Sequence, residues 1–419
     1  MIYIHVPFCE SFCTYCGFFS VRVPSVPEPV NGRSCFEDYA DAVVAETEER
    51  REEIEKPSEV NTIYIGGGTP SVLPLDVLSR IVQSLIVASE GAVPPNPPRS
   101  ALRPVSPAAS HPFMWPRAAT GSAGTPLPTA SLNGWEEFTI EVNPEDIVEK
   151  GEEYVRGLKD LGVNRISMGV QSFDDGILNW MNRRHDAAKA EEAFHILRRS
   201  GIDNISIDLI FGLSQLDDIT WTSTIEKALS LKPEHISAYQ LSVEEDSALE
   251  KLIAKGKYEE ASDEQCRRQY DILCGKLNEA GYRHYEISNF ALPGFEAVHN
   301  SAYWRRVPYV GLGPGAHSLS DNNVRSWNSE DVPRRLKDST LKSYSREEET
   351  LTPEDIRVER IMLPLRTDIG LPEDDLRSLA GNEAVDRLLF EGALVRYQGF
   401  IRIPEDNFFV SDEIIRELI

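Results

Sequence analysis

Three cysteines near the start of the chain, Cys9, Cys13 and Cys16, stand at the spacing C-x3-C-x2-C, directly after the short apolar segment Tyr3-Ile4-His5-Val6-Pro7-Phe8. Three thiolates on one tight loop suit three irons of a [4Fe–4S] cube, with the fourth iron left open to a small molecule. Zinc is the alternative, but structural zinc wants four ligands, usually as two separated pairs. His5 is the only nearby fourth donor and falls on the apolar segment rather than the loop, so the spacing favours a cluster.

Further along, Gly66-Gly67-Gly68-Thr69-Pro70 follows an apolar, strand-like run. Glycines there let backbone approach a ligand closely, although three glycines alone are as often a plain turn. Three polar residues interrupt otherwise apolar strands: Glu141 in Thr139-Ile140-Glu141-Val142, Gln171 ending Met168-Gly169-Val170-Gln171, and Asp208 in Ser206-Ile207-Asp208-Leu209. A buried carboxylate or amide is costly unless paired, so an internal hydrogen-bond network would account for any one alone. All three fall in or just after the second halves of successive strands, and so converge on one mouth.

The C-x3-C-x2-C loop in a chain of this size resembles the radical S-adenosylmethionine (SAM) superfamily. Tyr3-Ile4-His5-Val6-Pro7-Phe8-Cys9 resembles, within it, the oxygen-independent coproporphyrinogen oxidase group with its heme-chaperone branch. The resemblance implies that the open iron binds the amino and carboxylate groups of SAM, and that electron transfer from a donor protein can release a 5′-deoxyadenosyl radical. It implies SAM contacts at Tyr3, Gly67, Gly68, Thr69, Glu141, Gln171, Arg183 and Asp208, with Arg184 the fallback for Arg183. Phe18, at the end of the cysteine loop, is expected beside the same cofactor.

The last constellation is His299-Asn300-Ser301-Ala302-Tyr303-Trp304. Imidazole is a common axial ligand of heme iron, and the aromatics that follow suit a flat macrocycle, although a lone histidine is more often a surface or satisfied core residue. The H-N-x-x-Y-W pattern is what heme-chaperone members show. The resemblance thus assigns His299, Tyr303 and Trp304 to heme; His317, in Gly315-Ala316-His317-Ser318, is a second possible ligand for which a structural role is favoured. Two readings compete. One is a carrier that binds heme and delivers it to an acceptor protein; the other is an oxidase that converts coproporphyrinogen III to protoporphyrinogen. The oxidase pattern calls for a fourth cysteine two residues after the third, where this chain has Phe18, and for an N-terminal extension, where this chain has two residues before Tyr3. Both points and the H-N-x-x-Y-W motif favour the carrier.

The elements that must hold these residues alternate. Strand-like runs at Ile2–Val6, Val60–Ile65, Glu137–Val142, Arg165–Val170, Ile205–Phe211 and His235–Leu241 are separated by helical patterns of about 10–16 residues, which means βα units and a parallel sheet. Six units predict an α/β fold: the partial (β/α)6 TIM-like barrel of the radical SAM type, its site at the strands' C-terminal ends. Residues 1–242 form that barrel, interrupted at about 91–133 by a Pro/Ala/Ser-rich insertion whose composition predicts disorder. Residues 243–327 read as a barrel extension, and a charged, linker-like stretch follows at Ser329 to Glu349. Residues 350–419 read as three helices, a hairpin and a last helix, a winged-helix-like unit.

The bulk properties bound the rest. At 419 residues the chain accommodates a large barrel with an appendage. A net charge of −25 argues against nucleic acid as main partner and reads as solubility. No apolar run reaches the ~18 residues of a membrane span, and the apolar start is too short for a signal peptide. The expectation is a cytoplasmic protein, where a reducing environment leaves Cys35, Cys266 and Cys274 as free thiols.

Overall fold

The computed structural model describes residues 1–23, 34–89, 134–330 and 344–419. The insertion at 91–133, most of the connection between Val21 and Arg33, and residues 331–343 of the charged stretch lie outside the described residues.

Six parallel strands form the body: β1 (Ile2–Val6), β2 (Thr62–Gly67), β3 (Glu137–Val142), β4 (Arg165–Gln171), β5 (Ile205–Phe211) and β6 (His235–Gln240). Each lies beside its sequence neighbour, in the order β1 to β6. Three more strands extend the sheet: β7 (Arg283–Glu286), β8 (Asn289–Ala291) and β9 (Val310–Leu312). β9 runs parallel to β1 at one edge, while β8 pairs antiparallel to β6 and carries β7 at the other. The expected α/β architecture of six consecutive parallel strands is therefore what the chain builds, enlarged to nine strands.

Strand composition explains the layering. Ile4, Ile63, Ile65, Phe138, Ile140, Ile166, Met168, Ile207, Leu209 and Ile236 are fully buried against the helices. Residues of opposite parity, Glu141, Ser167 and Asp208, face inward, as the period of two requires. The covering helices are α1 (Cys35–Glu49), α2 (Leu75–Ser89), α3 (Pro144–Asp160), α4 (Asp175–Trp180), α5 (Ala187–Arg199), α6 (Asp218–Leu231), α7 (Ala248–Ala254) and α8 (Asp263–Glu279). Their starts are fixed locally. Ser34 and Glu37 make a capping box on α1, and Asp186, Asp217 and Ser262 cap α5, α6 and α8.

After the short helix α9 (Val298–Trp304), the chain forms a separate three-stranded sheet from His317–Leu319, Val324–Asn328 and Arg346–Thr350. The last of these strands falls in the stretch expected to be a linker. All five of its residues are exposed, so it carries no apolar alternation; ladder pairing with Val324–Asn328 holds it. The C-terminal unit has helices α10 (Pro353–Leu365), α11 (Glu373–Ala380), α12 (Asn382–Glu391) and α13 (Ser411–Arg416), and a hairpin of Val395–Tyr397 with Phe400–Arg402, joined by a third short strand at Leu371–Pro372.

Candidate cofactor cleft at the strand C-termini

The cysteine loop is held from below and from the side. Thr14 N–H donates to Met181 O at 3.1 Å and Thr14 Oγ1 to Trp180 O at 2.8 Å, while Leu249 N–H donates to Thr14 O at 2.8 Å. Asn182 Nδ2 donates to Phe12 O at 2.7 Å. The loop thus docks on the end of α4 and the start of α7. The glycine turn closes on it from β2. Gly67 has φ +110°, and a Cβ there would meet the His5 ring at 2.7 Å. A Cβ at Gly68 would lie 2.7 Å from Phe8 O and 3.0 Å from Cys9 Sγ. Only glycine lets the turn come this close to the loop. Thr69 Oγ1 is then 3.4 Å from Cys9 Sγ.

His5 is not a fourth metal donor here. Its Nδ1 meets Tyr3 Oη at 3.0 Å and its Nε2 meets Phe19 O at 2.9 Å. A single tetrahedral ion holds its sulfurs about 3.8 Å apart, and among the described residues the three loop thiols are not a set whose ligand atoms all lie within 4.8 Å. A larger metal group on three thiolates fits this donor set. Burial raises the Cys9 thiol and pushes Cys16 up to about 11. A bound cation's charge is what brings such thiols to the thiolate.

Below the loop lies a cavity of about 530 Å³ whose walls include Thr69, Glu141, Gln171, Arg183 and Asp208. Tyr64 Oη donates to Glu141 Oε1 at 2.7 Å and Gly67 N–H to Oε2 at 3.2 Å. Burial nevertheless pushes the Glu141 carboxyl up to about 7. Asp208, also raised by burial, accepts from Ser167 Oγ at 3.0 and 3.1 Å. Gln171 ends β4 at a bulge with φ +69°, which turns the strand toward the cavity.

The two arginines separate. Arg183 donates to Gly169 O at 2.6 Å and places Nη1 3.3 Å from Cys13 Sγ. Arg184 pairs with Asp146 and Glu10, each at 2.6 Å. Arg183 therefore faces the loop, and Arg184 ties α3 to the loop's outer side. Tyr3 stands on β1 behind the cavity wall, bonded to His5, and is not among the residues lining the cavity. Phe18 reaches only the rim and is 71% exposed. Tyr15, between Cys13 and Cys16, is the aromatic packed against the core on that side.

Among the lining residues that the sequence reading missed are Tyr15, Tyr64 and Arg165. The tetrapeptide Cys13-Thr14-Tyr15-Cys16 signals the first. Period two signals the others, since Tyr64 precedes Gly66 by two and Arg165 precedes Ser167 by two. Arg165 is 1% exposed, and its Nε has no hydrogen-bond partner.

The second constellation approaches the same cavity from the other end of the sheet: Asn300 is among its lining residues. His299 sits on α9 at the N-terminal ends of β2 and β3, the end of the sheet opposite the cysteine loop. Glu137, first residue of β3, accepts from the N–H groups of Val298 and His299 at 2.8 and 3.1 Å and so caps the helix. The imidazole is fully buried. Its Nδ1 meets Thr62 Oγ1 at 2.9 Å, its Nε2 meets Tyr303 Oη at 3.1 Å, and burial lowers its pKa to about 3. Both ring nitrogens are thus engaged in this structure, one by Thr62 of β2 and the other by Tyr303 of α9 itself. Tyr303 stacks edge-on to His299 and Tyr309, and Trp304 is half-buried at the helix end. His317 is exposed and stacks on Trp327.

Comparison with known proteins agrees with this architecture. The family model of the radical SAM superfamily matches residues 3–228. In fold, the chain superposes on coproporphyrinogen III oxidase (HemN) from Escherichia coli, a radical SAM enzyme, with a TM-score of 0.70 over 100% of this chain and 89% of that one, at 17% identity. In sequence, the heme chaperone HemW of Bacillus subtilis (strain 168) is 31% identical over 88% of this chain and 84% of its own length. HemW of Mycobacterium tuberculosis (strain ATCC 25618 / H37Rv) is 26% identical over 100% and 94%. The chain belongs to the radical SAM superfamily, in its HemW branch.

Proposed function

We propose that this protein is a heme chaperone: it holds a [4Fe–4S] cluster and SAM at the strand C-termini, binds heme through the His299–Trp304 segment, and passes heme to an acceptor protein. The observation that carries the reading is identity at 31% over most of both chains to a relative named for that role, together with Phe18 where the oxidase pattern has a fourth cysteine. Cys9, Cys13 and Cys16 are the cluster ligands in this reading. Gly67, Gly68, Thr69, Glu141, Gln171, Arg183 and Asp208 hold SAM, with Glu141 the counter-charge to its amino group. Bound together, cluster and SAM supply one-electron chemistry, for which an electron donor is a further partner.

The protein's own residues supply orientation and shielding. Arg183 sets a positive charge beside the loop, and Tyr15 covers it. For His299 to reach iron, its ring must leave Thr62 or Tyr303, so heme binding is coupled to movement of α9. Among the described residues no helix is long and apolar enough to cross a membrane, and we place the protein in the cytoplasm. The competing reading, a coproporphyrinogen III oxidase, is supported by likeness of fold alone. Anaerobic reconstitution decides between them. The chaperone binds one heme per chain and leaves coproporphyrinogen unchanged when given SAM and reductant; turnover in that assay overturns the proposal.

A further inference from the structure

Cys274 on α8, His284 on edge strand β7 and Glu405 in the turn before α13 come together where the barrel's far edge meets the C-terminal unit. Their ligand atoms all lie within 4.8 Å of one another. His284 Nδ1 is 3.1 Å from Glu405 Oε1 and 3.9 Å from Cys274 Sγ. A tetrahedral zinc with bonds of about 2.0–2.3 Å sets such atoms about 3.3–3.6 Å apart, so the two distances to His284 need shifts of only a few tenths of an ångström.

The imidazole is already oriented as metal-ligating histidines are. Tyr270 Oη meets the other nitrogen, Nε2, at 3.3 Å, which leaves Nδ1 to face the thiol and the carboxylate. Phe290 stacks on the ring at 4.0 Å and Phe408 packs against it edge-on at 5.0 Å, so the side chain is only 2% exposed. His284 and Glu405 also border a cavity of about 210 Å³, which gives a water access to a fourth position. The nearby cations are engaged elsewhere: Arg267 with Asp271, and Arg402 with Asp368 O.

We propose that Cys274, His284 and Glu405 form a three-ligand site for a zinc-type divalent cation that fastens the C-terminal unit to the barrel. The site is separate from the cysteine loop and uses one of the cysteines left over from it. A plain His–Glu ion pair beside an inert thiol is the alternative.

The test uses the full chain with Cys9→Ala, Cys13→Ala and Cys16→Ala, so that the loop does not compete, titrated anaerobically with cobalt(II) chloride. One equivalent binds, with thiolate-to-cobalt charge-transfer absorption in the near ultraviolet; zinc chloride displaces it and the band is absent in an added Cys274→Ser. No band, or a band unchanged in Cys274→Ser, overturns the proposal. Should Cys274→Ser fail to fold, Glu405→Gln decides, because Glu405 is 44% exposed. Cobalt affinity at least about tenfold weaker there sustains the site, and equal affinity sinks it. As a check on unmutated loop cysteines, cluster-loaded protein retains one zinc per chain after dialysis, and Glu405→Gln does not.

Discussion

Ionising the buried Glu141 costs the fold stability, and Glu141→Gln tests both that cost and the binding role proposed for the carboxylate. Burial raises the carboxyl from 4.5 to about 7 despite bonds from Tyr64 and Gly67. At about 1.36 kcal/mol per pKa unit, the ionised group costs the folded chain at most about 3 kcal/mol above pH 7. The sign follows from proton counts. Below pH 4.5 both states hold the proton and nothing is lost. As pH rises past 4.5 the unfolded chain ionises first and folding weakens; beyond about 7 the folded group has ionised too and the loss is complete.

Glutamine does not titrate. It keeps an oxygen for one of the two donors and loses the other bond, about 1 kcal/mol. Glu141→Gln is therefore expected to match the parent within about 0.5 kcal/mol at pH 5.5 and to exceed it by about 1–2 kcal/mol at pH 8. Urea unfolding of cluster-free protein, followed by tryptophan fluorescence at both pH values, measures this. SAM binding by the reconstituted variant is expected to fall at least about tenfold, because the counter-charge to the amino group is gone. A stability difference that is the same at both pH values would refute the buried-carboxylate argument.

Reconstituted protein is expected to hold about four irons per chain; Cys9→Ala, Cys13→Ala or Cys16→Ala each abolishes the broad visible absorption, and Cys35→Ala does not. Arg183→Gln weakens SAM binding with little change in melting, whereas Arg184→Gln takes the ion-pair partner from the buried Asp146 carboxylate, which keeps its bond from Ser71, and costs about 3 kcal/mol of stability with the cluster retained, measured by calorimetry and iron content. His299→Ala weakens heme binding sharply in an absorbance titration while iron–sulfur absorption persists; unchanged heme affinity removes His299 from the proposal. Tyr64→Phe keeps the ring against His299 and frees Glu141, so SAM binding weakens several-fold and heme binding stays within about twofold; equal loss of both contradicts that separation.

The parallel sheet was legible because its strands are short, β-branched and bounded by turn residues. Ile2–Val6, Glu137–Val142 and Ile205–Phe211 have the ends that their apolar runs indicate. The cavity was legible wherever a polar residue interrupts such a run, as Glu141 and Asp208 do. Other features leave no comparable trace. Arg346–Thr350 is ordered by ladder pairing and by the ion pair of Arg346 with Glu53, which no apolar pattern announces. Val310–Leu312 joins β1 across some three hundred positions of sequence, and a three-residue run gives no hint of its partner. Phe18 and Tyr15 differ by three positions on a loop whose fold decides which one packs inward. The place of His299 was hidden too: a motif names residue types, and only the capping of α9 by Glu137 shows which end of the sheet receives them.

That placement gives the protein two ends with different demands. At the strand C-termini, glycine turns and loop backbone leave room for a cofactor; at the N-termini, α9 packs its imidazole away from solvent. One inward face joins them. Tyr64 donates to Glu141 at the mouth and lies 5.2 Å, ring to ring, from His299. Arg165 sits within the same interior, buried and without a partner for Nε. Its charge favours ionised Glu141 and Asp208 on one side and disfavours protonated His299 on the other. The state of the carboxylates at the mouth and the neutrality of the histidine at the closed end thus share one buried guanidinium.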